Sequence, residues 1–310
     1  MEATIFELSP GEFNLHIART DDLGRLNVTR VATERVAVGA SVEATNAIGR
    51  RTWAQAMRTV DRLNRVAQRS APHKPIALAM NGLSDAWNAR GFVDAVQRRH
   101  GMATRIVSRE EAAALAYAGI WSESGQTGGR MAVCLFDESR IEVASGVDGV
   151  CDRIDAVPFG VRRLRVAFGA DEQPLRHSDI GPMFSLVRLC GGPMGRRLRE
   201  LGTTRLTLPA PLSRTIAELA AAWGYADREA TAIDRVLLHA LVPDVIATPH
   251  ASLTRLGIER REALALGPTL VALDAIADLL RVPSIFLSRS GILEGAILAY
   301  ADGGDARLET

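Results

Sequence analysis

Apolar positions recur with two different periods in the first part of the chain. Residues 3–8 (ATIFEL) and 13–18 (FNLHIA) are β-prone and alternate as half-buried strands do, with a short polar turn between them. Residues 25–38 (RLNVTRVATERVAV) continue the strand-like pattern. Residues 49–69 instead place apolar side chains three or four positions apart, as an amphipathic helix does. The pattern therefore predicts three strands followed by a long helix.

The next segments alternate between these two patterns. Short apolar runs at 74–80 (KPIALAM) and 103–108 (ATRIVS) predict strands, and helical spacing follows them at 85–101 and 109–121. Strands that alternate with helices in this way are typical of an α/β domain.

The opening order of elements is repeated after residue 130. Residues 122–129 (SESGQTGG) are all glycine or polar, as in a linker. Residues 131–136, 141–146 and 151–160 then give three strand-like runs again, and helices with two later strands follow. This duplication of order, without duplication of residues, predicts a two-domain α/β protein with a ligand-binding cleft between its halves.

The charge balance and the lack of targeting or metal motifs narrow the classes of function. The 37 basic and 36 acidic residues nearly cancel, which argues against a general binder of nucleic acid or membrane surfaces. The N-terminus does not resemble a signal peptide, and no window has the roughly 20 apolar residues of a membrane span. The three cysteines share no metal-binding spacing. We therefore expect reduced thiols, a cytoplasmic protein and no metal site.

Three stretches carry a resemblance to a known family. They are residues 106–120 (IVSREEAAALAYAGI), 157–164 (VPFGVRRL) and 263–298 (ALALGPTLVALDAIADLLRVPSIFLSRSGILEGAIL). In these stretches, and in the order of its elements, the sequence resembles the exopolyphosphatase and guanosine-pentaphosphate phosphohydrolase (Ppx/GppA) family. The resemblance implies two actin-like (ribonuclease H-like) domains with an interdomain cleft. It places the first domain at 1–122 plus about 288–310 and the second at 130–287.

The resemblance also implies a mechanism for phosphoanhydride hydrolysis. One glycine-rich hairpin loop in each domain presents backbone N–H groups to phosphates, and a nearby carboxylate helps to hold Mg²⁺. Glycine suits such loops because the backbone must approach the phosphate oxygens closely. A glutamate on a helix of the first domain activates the attacking water. Glu111 matches this glutamate of a Glu-x-Arg motif, although Ala113 replaces the arginine.

Both predicted phosphate loops depart from the family pattern. In the first loop the acid survives as Glu7, but Ser9 replaces a glycine, and Pro10 has no backbone N–H group to donate. The second loop falls on residues 135–140 (LFDESR), where Leu135 takes the acidic position and all three glycines are absent. The two carboxylates of that turn would repel a polyanion.

Six further positions are candidate ligand-binding residues. They are Asn81, Ser84, Arg140, Ser213, Arg214 and Thr215. The first two follow a predicted strand, where the resemblance implies polar residues and an arginine that contact phosphate. The last three form a polar loop that opens a helix. Arg140 would replace lost backbone donors if it points into the cleft.

These departures lead to the hypothesis of a catalytically degenerate family member, a pseudophosphatase that binds a ligand or regulates. A general base alone contributes roughly 10²–10⁴-fold, far less than phosphate hydrolysis needs. The alternative is an active exopolyphosphatase or pppGpp phosphohydrolase that uses Glu111 as base, with Mg²⁺ and an altered phosphate site. The predicted partners are a nucleotide or polyphosphate ligand and a second copy or an active paralogue, with no nucleic acid and no membrane.

The main candidates also have purely structural interpretations. Glu111 lies in the first turn of a predicted helix, where it could serve only as a cap. Glu7 could be satisfied by the N–H groups of its own turn. The hydroxyls of Ser213 and Thr215 could cap the helix that they open. His16 lies in an apolar run and is expected to be a core or hydrogen-bonded histidine, not a metal ligand.

Overall fold

The computed structural model describes residues 2–22, 26–70, 75–80, 82–124, 128–169 and 175–300. The chain divides into two compact units. Unit 1 comprises Met1–Leu115 and Leu293–Thr310, and unit 2 comprises Ala116–Ile292. The resemblance places the domain boundaries near residues 122 and 288.

The described part of unit 1 contains a five-stranded mixed sheet. Its strands are β1 (Glu2–Leu8), β2 (Glu12–Thr20), β3 (Leu26–Arg35), β4 (Ile76–Ala79) and β5 (Ala103–Ile106). They lie in the order β3-β2-β1-β4-β5. Strands β1, β2 and β3 are antiparallel, β4 is parallel to β1, and β5 is parallel to β4. The antiparallel strands are those that alternation predicts at the start of the chain.

The described part of unit 2 contains a six-stranded sheet with the same central plan. Its strands are β6 (Arg130–Phe136), β7 (Ile141–Val147), β8 (Val150–Val157), β9 (Thr203–Leu208), β10 (Ala232–Asp234) and β11 (Ser284–Leu287). They lie in the order β10-β11-β9-β6-β7-β8. Again three antiparallel strands come first, and β9 and then β11 extend the sheet in parallel. The predicted duplication of order is confirmed.

Helices connect and cover these strands. In chain order the described helices are α1 (Val38–Thr45), α2 (Arg50–Ser70), α3 (Ala89–His100), α4 (Arg109–Glu123), α5 (Val161–Ala167), α6 (Ile180–Glu200), α7 (Leu212–Ala222), α8 (Arg235–Ala247), α9 (His250–Arg255), α10 (Arg260–Leu280) and α11 (Ile292–Tyr300). The boundary between the two units falls inside α4 and again at the start of α11.

One face of the first sheet forms the core of unit 1. Cross-strand partners share a face of a sheet, and Phe6 and Leu8 pair with Leu15 and Phe13. These four side chains are buried in one cluster with the apolar sides of α2 and α3. Alternation along β1 therefore places Glu7 on the opposite face.

Helix α10 lies in the core of unit 2. Its segment Glu262–Leu280 is long and apolar enough to cross a membrane, judged by length and composition only, and 83% of that window is buried inside the structure. A buried core helix meets the same criterion, and most of its apolar side chains belong to the unit 2 cluster. This is the buried helix that the sequence predicts.

Two short elements were not predicted. Helix α1 follows a run that has a strand-like pattern, and its start is fixed by a tertiary contact, since the Gly39 N–H group donates to the Pro10 carbonyl at 2.8 Å. Strand β10 has three residues and lies at the edge of its sheet, paired with β11. Of the predicted linker, residues 125–127 lie outside the described residues, and α4 already extends to Glu123.

Candidate functional site

The first hairpin turn, between β1 and β2, directs its carbonyl groups toward the segment that begins α1. The Pro10 carbonyl accepts a hydrogen bond from the Gly39 N–H group at 2.8 Å. The Gly11 carbonyl accepts one from the Val36 N–H group at 2.9 Å. The Ser9 N–H group donates within the turn at 3.0 Å. Since Pro10 has no N–H group, the described contacts leave this turn poor in backbone donors for an anion.

The second hairpin turn lies between β6 and β7, and its carbonyl groups also accept hydrogen bonds from a neighbouring helix. Its Asp137 carbonyl accepts a hydrogen bond from the Val161 N–H group, at the start of α5, at 3.0 Å. Its Glu138 carbonyl accepts one from the Arg162 N–H group at 3.1 Å. A Cβ atom on Gly160 would come within 2.5 Å of backbone atoms of this turn. The turn is therefore packed tightly on the start of α5.

The two carboxylates of the second turn are used inside the protein. Asp137 Oδ1 accepts the Ser139 backbone N–H at 3.0 Å and lies 3.3 Å from the Ser139 hydroxyl, which makes an Asx turn. Glu138 Oε1 lies 3.6 Å from Arg165 Nη1 on α5. A backbone donor of the turn is thus already occupied by the turn's own carboxylate.

Glu7 belongs to a network of polar side chains on the first sheet. Its Oε2 atom lies 3.0 Å from His16 Nε2 and accepts from Asn14 Nδ2 at 3.1 Å. Its Oε1 atom accepts from the Ser9 hydroxyl at 3.2 Å. The Thr33 hydroxyl donates to the Asn14 carbonyl oxygen at 2.8 Å. The Glu7 carboxylate is therefore held by other side chains. The prediction that His16 is hydrogen-bonded is confirmed.

Glu111 forms a reciprocal cap at the start of α4. Its N–H group donates to Ser108 Oγ at 3.1 Å, and its carboxylate accepts the Ser108 N–H at 3.4 Å, which is a capping box. Its Oε1 atom also accepts from Arg105 Nε at 2.9 Å and from the hydroxyl of Tyr300. The Arg105 guanidinium lies 4.5 Å from the Tyr300 ring centroid. With 8% of Glu111 exposed, Arg105 and Tyr300 cover the carboxylate.

The Tyr300 hydroxyl donates its hydrogen bond to the Glu111 carboxylate. Burial, and then the hydrogen bond and charge of Glu111, raise the pKa of Tyr300 well above its ordinary value. The hydroxyl therefore stays protonated at neutral pH and continues to donate to the carboxylate.

Comparison with known proteins assigns the family. The profile of the Ppx/GppA phosphatase family matches residues 16–302, nearly the whole chain. The chain belongs to the Ppx/GppA phosphatase family. A search of the curated proteins found no match.

Solved structures of Ppx/GppA proteins share this fold. The Aquifex aeolicus family member is 15% identical to this chain with a TM-score of 0.80, and the similarity covers 97% of each chain. An exopolyphosphatase from Cytophaga hutchinsonii is also 15% identical with a TM-score of 0.80, over 98% of this chain and 99% of that one. At this level of identity the similarity establishes the fold. The predicted family and its α/β fold with two sheets are confirmed.

Two of the predicted ligand-binding residues of this Ppx/GppA protein, Ser84 and Arg140, lie near β4 and the second turn. Asn81 lies outside the described residues. Ser84 is half-buried after β4, and its N–H group donates to the Met80 carbonyl at 3.3 Å. Arg140 is exposed, and its Nη1 atom is 3.8 Å from Glu142 Oε1. Arg140 thus presents an accessible charge beside the second turn.

The hydroxyls of Ser213 and Thr215 do not cap α7, so the capping interpretation is wrong. The N-cap residue is Pro211, and no described side chain caps that end of the helix. Because both hydroxyls lie inside the first turn and are buried, they find partners elsewhere. Ser213 donates to the Leu208 carbonyl at 2.6 Å, and Thr215 donates to the Glu262 carboxylate at 2.6 Å.

Arg214 lines a pocket of about 660 Å³ within unit 2, and the loop after β11 lines the same pocket. In that loop the N–H groups of Arg289 and Ser290 both donate to Glu123 Oε2 at 3.1 Å, and the Ser288 hydroxyl donates to the same carboxylate. Such converging donors form an anion-binding nest, and the protein's own Glu123 fills it. Sequence reasoning missed this residue because Ser288 lies 165 positions away from it.

The described residues do not fit Mg²⁺, which the resemblance implies for hydrolysis. Among them, no group of three or more His, Cys, Asp or Glu side chains is placed to hold a metal ion. The acid of the first loop, Glu7, is engaged by His16 and Asn14. The acidic position of the second loop is Leu135. Mg²⁺ is usually held by one or two carboxylates together with waters and substrate phosphates, and neither loop position offers an unengaged carboxylate for it.

The Glu7 network predicts a stability that depends on acid pH. Burial raises the pKa of Glu7, but the hydrogen bond and charge of His16 and the hydrogen bond from Asn14 outweigh it and hold this pKa below its ordinary value of 4.5. Such a carboxylate stabilises the fold above its unfolded pKa, and the contribution is lost as pH falls through the lower folded pKa. We expect Glu7→Gln to unfold at lower urea than the wild type at neutral pH, with the difference shrinking below about pH 4.

The matched control for this measurement is Glu110→Gln. Glu110 is exposed, so its substitution should leave urea unfolding nearly unchanged at every pH. A deficit of Glu7→Gln that stays constant from neutral pH to acid pH would contradict the ionic origin of the effect.

Proposed function

We propose that this protein is a Ppx/GppA family member that does not hydrolyse phosphoanhydrides and acts by binding a ligand or by regulation. The observation that carries the proposal is the geometry of the second hairpin turn. Its carbonyls bind the start of α5, and the Asp137 carboxylate occupies the Ser139 N–H group. A turn arranged in this way presents negative charge where a phosphate would need N–H donors.

Electrostatic magnitudes support the loss of turnover. A carboxylate about 4 Å from a phosphate charge repels it by about 1 kcal/mol in water and about 4 kcal/mol at intermediate dielectric. Each lost charge-assisted hydrogen bond removes about 1.5–3 kcal/mol more. Electrostatic stabilisation of the transition state is usually the largest contribution to catalysis. These losses would therefore reduce the largest contribution to the rate.

Glu111 does not compensate for these losses. A positioned general base contributes about 10²–10⁴-fold. Here the carboxylate accepts hydrogen bonds from Arg105, Tyr300 and Ser108. Those bonds favour a capping role over proton abstraction from water.

Turnover assays test the proposal. We expect no phosphate release from polyphosphate or pppGpp in the presence of Mg²⁺ above the protein-free blank, because neither turn offers the donors that a phosphoryl group needs. Wild type, Glu111→Gln and the matched control Glu110→Gln should behave alike. Robust turnover that Glu111→Gln abolishes and Glu110→Gln preserves would overturn the proposal and support the alternative, an active hydrolase with an altered phosphate site.

Isothermal titration of the same preparation separates ligand binding from a purely structural role. The ligands are ATP, ppGpp and short polyphosphate, each with and without Mg²⁺. Binding heat without turnover supports the ligand-binding role. Absence of heat with all three ligands would overturn that part of the proposal.

A further inference from the structure

Arginine is concentrated on two neighbouring helices of unit 1. Helices α2 and α3 carry nine arginines and two aspartates, whereas basic and acidic residues nearly balance over the whole chain. Three of the arginines are in the ion pairs Arg62–Glu34, Arg90–Asp94 and Arg99–Asp61. The exposed ones without an ion-pair partner among the described residues are Arg50, Arg51, Arg58, Arg65, Arg69 and Arg98. The helix pair therefore presents uncompensated positive charge.

The two helices run in the same direction and are in register. Near their starts, the Trp53 ring on α2 meets the Phe92 ring on α3 edge to face, with centroids 5.2 Å apart. Two turns further along, Asp61 on α2 binds Arg99 on α3 at 2.7 Å. The two helices are thus in contact both at Trp53 and at this ion pair.

An apolar groove of about 580 Å³ lies between the two helices. Its apolar lining includes Trp53, Ala54, Met57 and Ala95. Arg58 on α2 and Arg98 on α3 also line it, together with the ion-paired Asp61 and Arg99. The groove combines a surface that can bury an apolar side chain with flanking cations that attract carboxylates.

We propose that this groove, between α2 and α3, is a docking surface for an acidic segment of a partner protein that inserts an apolar side chain. Charge complementarity carries the choice of partner, since acidic residues would neutralise arginines that have no ion pair with any described residue.

The apolar lining favours a protein segment over a phosphate polymer. A polyphosphate chain would contact the arginines, but it has no apolar group to bury in the groove. Protein interfaces, in contrast, commonly place an apolar anchor in a pocket surrounded by charged residues.

The test uses the full chain and a short fluorescent peptide in which leucines at helical spacing interrupt a run of glutamates. Binding is followed by fluorescence anisotropy, with an otherwise identical peptide that has alanine for leucine as the control probe. We expect the leucine peptide to bind about tenfold more tightly than the alanine peptide, because its side chain enters the groove. Ala54→Trp should fill the groove and weaken leucine-peptide binding by about tenfold.

One single variant and two matched double variants separate groove binding from general attraction. Gln55→Trp places the same side chain at the neighbouring exposed position and should leave binding unchanged. The double variant Arg58→Glu with Arg98→Glu should weaken binding more than Arg65→Glu with Arg69→Glu, although the two pairs change charge equally. All the substituted positions, Ala54 included, are exposed, so the fold should persist.

Three outcomes would overturn the docking proposal. The first is equal affinity for the leucine and alanine peptides, and the second is no binding of either. The third is binding of polyphosphate or single-stranded DNA that exceeds peptide binding and is indifferent to Ala54→Trp, which would make the helix pair a general polyanion surface. The readout involves no phosphate hydrolysis, so its failure is distinguishable from failure of the proposed function.

Discussion

Replacement of Glu111 by alanine is expected to lower the free energy of unfolding by about 3 kcal/mol. Loss of the capping box with Ser108 accounts for about 1 kcal/mol. The buried Tyr300 hydroxyl then loses its acceptor, which costs about 1–3 kcal/mol. The Arg105 contact adds little, because a partly exposed guanidinium can be solvated by water. Urea unfolding of the full chain, followed by circular dichroism, measures the change.

Two further variants identify the source of that destabilisation. Glu110→Ala removes the exposed neighbouring carboxylate and should change the unfolding free energy by less than about 0.5 kcal/mol. Tyr300→Phe removes only the hydroxyl and should cost about 1 kcal/mol. A Glu111→Ala variant as stable as the wild type would show that the network does not hold this carboxylate, and the catalytic interpretation of Glu111 would gain support.

Gly160→Ala is expected to destabilise unit 2 by about 3 kcal/mol or more, through overpacking. The added Cβ atom would lie 2.3 Å from the Arg140 nitrogen, 2.4 Å from the Asp137 carbonyl oxygen and 2.5 Å from the Glu138 carbonyl carbon. These are backbone atoms of the hairpin turn, so no flexible side chain can move aside. The Gly160 φ of −110° is open to any residue, and the requirement for glycine is therefore one of space.

The matched control is Gly11→Ala, in the corresponding turn of unit 1. No described heavy atom lies within 4 Å of a Cβ placed on Gly11. Its substitution should change the unfolding free energy by less than about 0.5 kcal/mol. If Gly160→Ala unfolds at the same urea concentration as the wild type, the second turn can move away from α5. The carbonyl contacts of Asp137 and Glu138 would then not fix its conformation.

Both results concern one physical feature of this Ppx/GppA protein. At the second turn and at Glu111, polar groups form hydrogen bonds within the chain. Glu123 repeats the pattern, since it occupies donors of the loop after β11. At the second turn and in the loop after β11, internal carboxylates accept the backbone N–H groups.

Local sequence was sufficient for the order of elements and for part of the chemistry. Alternation and helical spacing depend on residues a few positions apart, so most strands and helices and the duplicated plan could be predicted. Pro10 lacks an N–H group wherever the turn lies, and the absence of glycine from the second turn was equally plain. Short elements escaped this reasoning: α1 starts where the Gly39 N–H group meets Pro10, and β10 exists through its pairing with β11.

Tertiary structure alone decided what each candidate side chain contacts. The hydroxyl bonded to Glu111 comes from Tyr300, 189 positions away, and Glu123 reaches a loop 165 positions away. The clash that makes Gly160 necessary likewise involves a turn on a different strand pair. Such contacts depend on how separate elements pack in space, and the spacing of residues along the chain does not reveal that packing. For the same reason the groove between α2 and α3 could not be foreseen, although each of its arginines is visible in the sequence.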